Sequence, residues 1–301
     1  MRNRIPKIRD GTFNCWFWTL NCYIVWLYHN YSIIDCHVHS CHLTDRASIV
    51  FPKINIPEVQ CKLGHIVRLQ DVNGDNYKYV CSTCGKTVYL GIDPYRSYNE
   101  NLLENRQDNE LVFPFVAISP HMQEDIRYYV EKHDIVGIKL HPNYSSYKMD
   151  SCTVPHDMIY VIHAGKGFYD NPLRIINFAK NCESQVIVAH LGRLNKDLYD
   201  SISQLKNIVM DCSPLIHIWD AYRRGSNSIY DASFLGKINS PYDLLMRVME
   251  YVGFDNIVYG SDIPIDNPYD DLSIIDMLPN DLKIKILREN LIAIMSEYLN
   301  S

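Results

Sequence analysis

The chain has 301 residues, of which 47% are hydrophobic and 21% charged, and it carries a formal net charge of -6 at pH 7. The length suits one large α/β barrel with at most a small second unit, and the composition excludes wholesale disorder. The acidic balance argues against nucleic acid as a partner, because phosphate binding needs a basic surface.

The first predicted element is a helix within residues 1–30. Apolar side chains recur at helical spacing over residues 13–28, after a short basic start. A signal peptide or membrane anchor is the alternative, but the stretch carries Asn14, Thr19 and Asn21 and has no small-residue cleavage site. We therefore expect an amphipathic helix packed on the protein, and no membrane partner.

From residue 32 onward, short apolar runs end in polar residues. Continuous apolar runs are typical of parallel strands that are buried on both faces. Residues 87–91 are the best candidate for an eighth strand, with membership of an insertion as the alternative. The other runs cover residues 33–39, 111–120, 135–142, 159–165, 186–192, 208–213 and 257–264.

Amphipathic stretches between these runs predict helices over residues 124–132, 173–181, 196–205, 242–251 and 281–299. Alternating strands and helices predict an α/β fold, a (β/α)8 TIM barrel, over residues 31–301. The link from residue 141 to 159 is short, so we expect a turn there instead of a helix. The long polar segment 214–240 is predicted to be a loop over the active site.

Residues 58–90 interrupt the barrel pattern after its first strand and predict a small zinc-ribbon-like insertion. Two turns each offer two ligands to a structural zinc ion, Cys61 with His65 and Cys81 with Cys84. The alternative is that these are reduced cysteines in a loop. The ten cysteines are unevenly spaced, which favours metal binding over disulfides and a reducing, cytoplasmic compartment.

Histidines and one aspartate stand at the ends of the predicted strands. His37 and His39 alternate along the first strand, so their side chains point the same way and can reach one metal ion. His163, His190 and Asp262 end later strands, where barrel enzymes keep their chemistry. Although core histidines can form harmless hydrogen bonds, so many at strand ends predict a metal site.

Five motifs together resemble the amidohydrolase superfamily of TIM-barrel, metal-dependent hydrolases. They are DCHVH at residues 35–39, GIKLHP at 137–142, IHAG at 162–165, AHLG at 189–192 and GSDIP at 260–264. The resemblance implies a divalent metal, usually zinc, held by His37, His39, His163 and Asp262. It also implies catalytic roles for His190, beside the metal, and for Asp262 as a proton acceptor.

Lys139 has two interpretations under this resemblance. In two-metal relatives a strand lysine is carboxylated and bridges the ions, whereas in one-metal relatives this position touches the substrate; we favour one metal. His141, Arg193 and Ser213 are further candidates for substrate contacts. Their alternatives are a loop histidine, a surface arginine and a helix cap.

The leading functional hypothesis is a metal-dependent hydrolase of a small-molecule amide, lactone or ester. A metal-dependent decarboxylase of the same superfamily is the first alternative. A catalytically inactive barrel that binds a partner protein is the second, although the full set of expected ligands weighs against it. Association into a homo-oligomer is compatible with each of these hypotheses.

Overall fold

The computed structural model describes residues 33, 35–37, 67–71, 77–81, 87–88, 99, 103, 115–118, 123–133, 135–143, 146–149, 155, 158–262 and 268–300. The helix predicted within residues 1–30 lies outside this set. Two sheets are present among the described residues, one antiparallel with three strands and one parallel with six.

The small sheet consists of β1 (Val67–Asp71), β2 (Tyr77–Cys81) and β3 (Thr87–Val88). All neighbours are antiparallel, and Asp71 faces Tyr77 across the β1–β2 hairpin. The eighth barrel strand predicted at residues 87–91 is therefore wrong, since β3 pairs with β2 instead. A short β-branched run looks the same in either sheet, so pairing decides between them.

The large sheet has its strands in chain order, each parallel to the next. They are β4 (Phe115–Ile118), β5 (Gly137–Leu140), β6 (Ile159–Ile162), β7 (Val186–Val188), β8 (Ile208–Asp211) and β9 (Ile257–Val258). Six predicted strand runs are thereby confirmed, with shorter bounds. Buried Val and Ile side chains on both faces explain why the runs are continuously apolar.

The segment around His37 runs beside β9. The amide of Cys36 donates to the carbonyl of Tyr259 at 3.0 Å, and the amide of Asp262 donates to the carbonyl of His37 at 2.8 Å. This is the position that the first strand of a barrel takes next to the last. We call this junction the seam.

The described helices are α1 (Gln123–Lys132), α2 (Pro172–Lys180), α3 (Lys196–Ile202), α4 (Leu215–Arg223), α5 (Pro241–Val252), α6 (Pro268–Ile275), α7 (Asn280–Ile284) and α8 (Asn290–Asn300). A π-helical turn, Lys285–Glu289, joins α7 to α8, so the helix predicted at 281–299 is present with an irregular middle. The described residues between β5 and β6 include turn residues and one 3-10 residue, Met149, so the turn predicted there is supported only for part of the link. No helix in the described part of the chain has the length and apolarity needed to cross a membrane.

The predicted loop at 214–240 is wrong in part, because it contains α4 and a short 3-10 turn, Ser233–Leu235. The first turn of α4 has unpaired backbone amides that need acceptors. Asp271, on α6, accepts from the amides of Leu215 at 2.9 Å and Ile216 at 3.0 Å. The stabilising group lies far along the chain, so the local sequence does not reveal this helix.

Side chains of the strands divide into two buried clusters. The larger packs between the sheet and the helices and includes Ile138, Leu140, Tyr160, Ile162, Val186, Val188, Ile208 and Met210. The smaller contains the alternate positions Val161, Ile187, Val209 and Val258, packed against Leu291, Ile292 and Met295 of α8. Alternation along the strands assigns the second cluster to the inner face. His163 and Asp211, two positions after Val161 and Val209, continue that inner face toward the carboxyl ends of the strands.

A left-handed turn follows β7. Residues His190–Leu194 all have positive φ, between 47° and 63°, and Gly192 is the one glycine among them. Left-handed backbone costs an ordinary residue roughly 1–2 kcal/mol. Such strain persists where surrounding contacts enforce it, and it concentrates near functional sites.

Gly192→Ala should destabilise the protein more than Gly225→Ala does. Both glycines have positive φ, so each change costs about 1 kcal/mol of backbone strain. A β-carbon at Gly192 would also lie 2.1 Å from Cδ2 of the buried Leu198, whereas a β-carbon at Gly225 meets no described atom within 4 Å. Overpacking adds about 1–3 kcal/mol. Chemical denaturation measures both losses, and equal losses would contradict the packing argument.

Candidate active site

The inner-face residues at the carboxyl ends of the strands form a buried polar layer above the apolar interior. His37, His190, Asp211 and Asp262 have relative exposures of 4%, 3%, 0% and 4%. Because the strands are parallel and in chain order, their carboxyl ends meet at one rim of the sheet. Groups supplied from distant parts of the sequence thus converge on one site.

His37 lies at the centre of this layer. Its Nδ1 is 2.8 Å from Oδ2 of Asp211, and its Nε2 is 2.8 Å from Nζ of Lys139 and 3.3 Å from Oδ1 of Asp262. Burial lowers the pKa of Lys139, and the negative charges of Asp262 and Asp211 oppose that shift. The side chains meet where a bound cation would have both an imidazole and a carboxylate within reach.

Asp262 is placed by an unusual backbone. Its φ is 56°, and its amide donates to the carbonyl of His37 across the seam at 2.8 Å. The left-handed conformation is less costly for aspartate than for most residues with a β-carbon. The second oxygen, Oδ2, lies 3.9 Å from Nδ1 of His190. The carboxylate therefore stands between His37 and His190.

His163 and His190 face each other, with Nε2 of His190 3.0 Å from Nδ1 of His163. Burial lowers the pKa of His163 well below its usual value, helped by the neighbouring His141. Burial also lowers the pKa of His190 to about 3, against an opposing effect of Asp262. Both rings are therefore neutral near pH 7, the form that can bind a metal ion or accept a proton.

His141 and Arg193 lie beside these histidines. The ring of His141 stacks on that of His163, with centroids 3.9 Å apart and an angle of 14°. Arg193 is half-buried in the left-handed turn, and its Nε donates to the carbonyl of Ala164 at 3.1 Å. The hypothesis of a purely surface arginine is thus wrong.

Asp211 is the residue that sequence reasoning missed. Its Oδ1 accepts from the amide and hydroxyl of Ser213, at 3.0 and 2.9 Å, and from the amide of His190 at 2.9 Å. Burial acts to raise the pKa of Asp211, but His37 and these donors outweigh burial and hold the pKa below its usual value. Its inward position at the end of β8, equivalent to that of His163 after β6, is the signal that identifies it.

Of the predicted site residues, the structure brings together His37, Lys139, His141, His163, His190, Arg193 and Asp262. His39 lies outside the described residues, as do Cys61, His65 and Cys84 of the insertion, and Cys81 is described only as the last residue of β2. Ser213 is fully buried, and its hydroxyl donates to Asp211. The cap position of α4 belongs to Pro214, so the helix-cap interpretation of Ser213 is wrong.

Within the described residues, the group with the spacing needed to hold a metal ion is His37, His190 and Asp211, whose ligand atoms lie within 4.8 Å of one another. His163 and Asp262 contact this group at its edge. These features define a class of protein. It is a parallel α/β barrel whose strand ends carry buried histidines and carboxylates that can hold a metal ion.

Among the solved structures that resemble this chain, one with a TM-score of 0.50 supports the barrel. An uncharacterised TIM-barrel protein from Bordetella bronchiseptica matches with a TM-score of 0.50 and 14% identity, over 67% of this chain and 73% of that one. A zinc-bound amidohydrolase from Burkholderia multivorans matches with a TM-score of 0.46 and 14% identity, over 66% and 79%. A 2,6-dihydroxybenzoate decarboxylase from Rhizobium matches with a TM-score of 0.43 and 12% identity, over 67% and 76%.

The family follows from the sequence comparison. The family model described as amidohydrolase matches residues 34–293, most of the chain. The chain therefore belongs to the amidohydrolase family and is an enzyme of that superfamily. No curated protein matches it.

Proposed function

We propose that this enzyme is a metal-dependent hydrolase that cleaves a small-molecule amide, lactone or ester. The observation that carries the proposal is the pair His37 and Asp262. Nε2 of the one and Oδ1 of the other are buried and 3.3 Å apart, and the ammonium of Lys139 lies 2.8 Å from Nε2. Two buried acceptors that face each other need a cation between or beside them.

The donor set fits a divalent metal ion. Imidazole and carboxylate suit zinc or a similar first-row metal, and Lys139 already supplies positive charge at this place. We assign the ion to His37, His39, His163 and Asp262. When bound, it would lower the pKa of a water molecule far below that of bulk water, toward neutrality.

His190 is assigned the proton-handling role. Its Nδ1 lies 2.9 Å from the carbonyl of Ser213, which can only accept, so Nδ1 carries the proton and donates. Nε2 is then the accepting nitrogen of this ring, with Nδ1 of His163 3.0 Å away, and we assign to it the orientation of the attacking water and the acceptance of its proton. Asp262, whose Oδ2 lies 3.9 Å from Nδ1 of His190, is the second acceptor in the proposal.

Lys139, His141 and Arg193 are assigned to the substrate. Burial lowers the pKa of Lys139, so its amine loses a proton more readily than a surface lysine does. His141 presents a ring parallel to His163 at the rim, and Arg193 presents a cation on the neighbouring loop. A small polar substrate would contact these groups first. We further propose that the enzyme is cytoplasmic and forms a homo-oligomer.

A structural zinc ion in the insertion is proposed separately, held by Cys61, His65, Cys81 and Cys84. The antiparallel sheet of β1, β2 and β3 supports it, because a hairpin that ends at Cys81 is the framework on which such sites are built. An element this small buries little apolar surface, so the ion would be required for its folding.

Elemental analysis should find two metal ions per chain, falling to one in a Cys81→Ser, Cys84→Ser variant. His37 contacts Asp262 and Lys139, and His163 contacts His190, all within the barrel, so the barrel ion should stay. One ion falling to none would contradict the barrel site and favour the binding-protein alternative. Two ions unchanged in the variant would contradict the zinc ribbon.

The reaction type is tested on the metal-loaded protein with a panel of amides, lactones, esters and aromatic carboxylic acids. Hydrolysis incorporates oxygen from labelled water into the product, whereas decarboxylation releases carbon dioxide without that incorporation. Label in the product is the expected result. Carbon dioxide release alone would replace the hydrolase proposal with the decarboxylase alternative.

A further inference from the structure

We propose that Asp211 is a positioning residue that holds His37 in a single tautomer, with the proton on Nδ1 and the lone pair on Nε2, the atom that we assign to the metal ion. The inference rests on the proposed function for the assignment of His37 as a ligand. The tautomer itself can be measured whether or not the enzyme is a hydrolase.

The contacts of His37 specify this tautomer from both sides of the ring. As an ammonium, Lys139 has only protons to offer, so its Nζ, 2.8 Å from Nε2, donates and Nε2 accepts. Nδ1 then carries the proton and donates it to Oδ2 of Asp211 at 2.8 Å. A carboxylate that accepts from the remote nitrogen of a ligand histidine fixes the ring and makes the other nitrogen more basic.

Asp211 itself is unsuited to bind the ion, although its distances to His37 and His190 are compatible with a shared site. Three donors already occupy Oδ1, namely the amide of His190 and the amide and hydroxyl of Ser213. Oδ2 is occupied by His37. A metal ion would have to displace one of these hydrogen bonds in a fully buried place.

Gly260 makes room for the contact between His37 and Asp211. A β-carbon at this position would lie 2.8 Å from Cβ of His37 and 3.3 Å from Cβ of Asp211. Non-bonded carbons essentially never lie as close as 2.8 Å to a β-carbon, so any other residue at this position would force the packing of His37 and Asp211 to shift. Gly260, two residues after the end of β9, therefore leaves the space in which His37 and Asp211 contact each other.

The same carboxylate also fixes His190. The amide of His190 begins the left-handed turn and donates to Oδ1 of Asp211 at 2.9 Å. One side chain thus sets the orientation of the His37 ring and the start of the turn that carries His190. The two histidines are held relative to each other by a group that touches neither substrate nor metal.

Asp211→Asn tests the proposal because the side-chain amide of the new asparagine fits its hydrogen-bonding partners in only one orientation. Its oxygen must face the three donors at Oδ1, so its NH2 group must face His37. The NH2 group donates, so the proton of His37 moves to Nε2 and blocks metal binding there. We expect zinc affinity of the barrel to fall by about 10- to 100-fold or more.

Nitrogen NMR of histidine-labelled full-length protein reads the tautomer directly, as purified and after addition of zinc. The wild type should show His37 protonated at Nδ1, and Asp211→Asn should show it protonated at Nε2. Asp271→Asn is the matched control, since it also changes a fully buried carboxylate, the one that caps α4. The control should lower the melting temperature without altering the tautomer or zinc affinity.

A wild-type His37 protonated at Nε2 would overturn the proposal even if the Asp211→Asn protein fails to fold. Unchanged zinc affinity and tautomer in a folded Asp211→Asn protein would overturn it equally. If the tautomers are as expected but neither protein binds zinc, the positioning role stands and the metal-dependent function fails.

Discussion

Replacing His37 with alanine should abolish turnover and empty the barrel of its metal ion, while the protein remains folded. The side chain contacts Lys139, Asp211 and Asp262, so its removal takes away one proposed ligand and the contact that positions another, Asp262. Charge stabilisation by a bound ion is worth several kcal/mol, and each 1.36 kcal/mol is tenfold in rate. We expect a loss on the order of a thousandfold or more in kcat.

The measurement combines steady-state kinetics, elemental analysis and circular dichroism. His217→Ala, an exposed histidine on α4, is the control and should retain both turnover and metal. Retained turnover in His37→Ala would remove this residue from the mechanism. Loss of the folded spectrum would instead assign it a structural role.

Replacing His190 with alanine should lower kcat by about a hundredfold or more and leave the metal ion bound. The ring is neutral, its Nδ1 is 2.9 Å from the carbonyl of Ser213, and its Nε2 faces the site. A lost general acid or base costs roughly 10²–10⁴ in rate. Kinetics and metal content on the same preparation check both halves of the expectation.

Backbone strain complicates this variant, because residue 190 has a φ of 63°. His190→Asn is therefore the matched control, since asparagine tolerates the left-handed region better than alanine and also lacks the imidazole. Equal losses of turnover in both variants would assign the effect to the ring. Loss of metal in both would reassign His190 as a ligand.

The positions of polar site residues at the ends of the strands could be predicted from the sequence, because side chains alternate along a strand. An apolar run that ends in histidine or aspartate therefore places that group at the rim, as His163 and Asp262 illustrate. Asp211 obeys the same rule, but no spacing motif distinguishes it from an ordinary strand end. Its importance arises from His37 and the backbone of His190, which are distant in sequence.

Two other features depend on contacts that the local sequence does not contain. The left-handed turn includes a single glycine, and its other members are residues that ordinarily have negative φ. The helix α4 begins at Leu215 because a carboxylate from α6 accepts its first amides. In both cases tertiary contacts, and not propensity, determine the backbone.

The seam gives the proposed ion a second consequence. His37 and Asp262 stand on opposite sides of the junction between the first and last segments of the barrel, which is joined there by the amides of Cys36 and Asp262. An ion bound by both side chains would cross-link the two segments at this junction. Because a ligand that binds only the paired form stabilises it in proportion to the logarithm of its concentration, occupancy of the proposed site and pairing of these two segments would become one linked equilibrium.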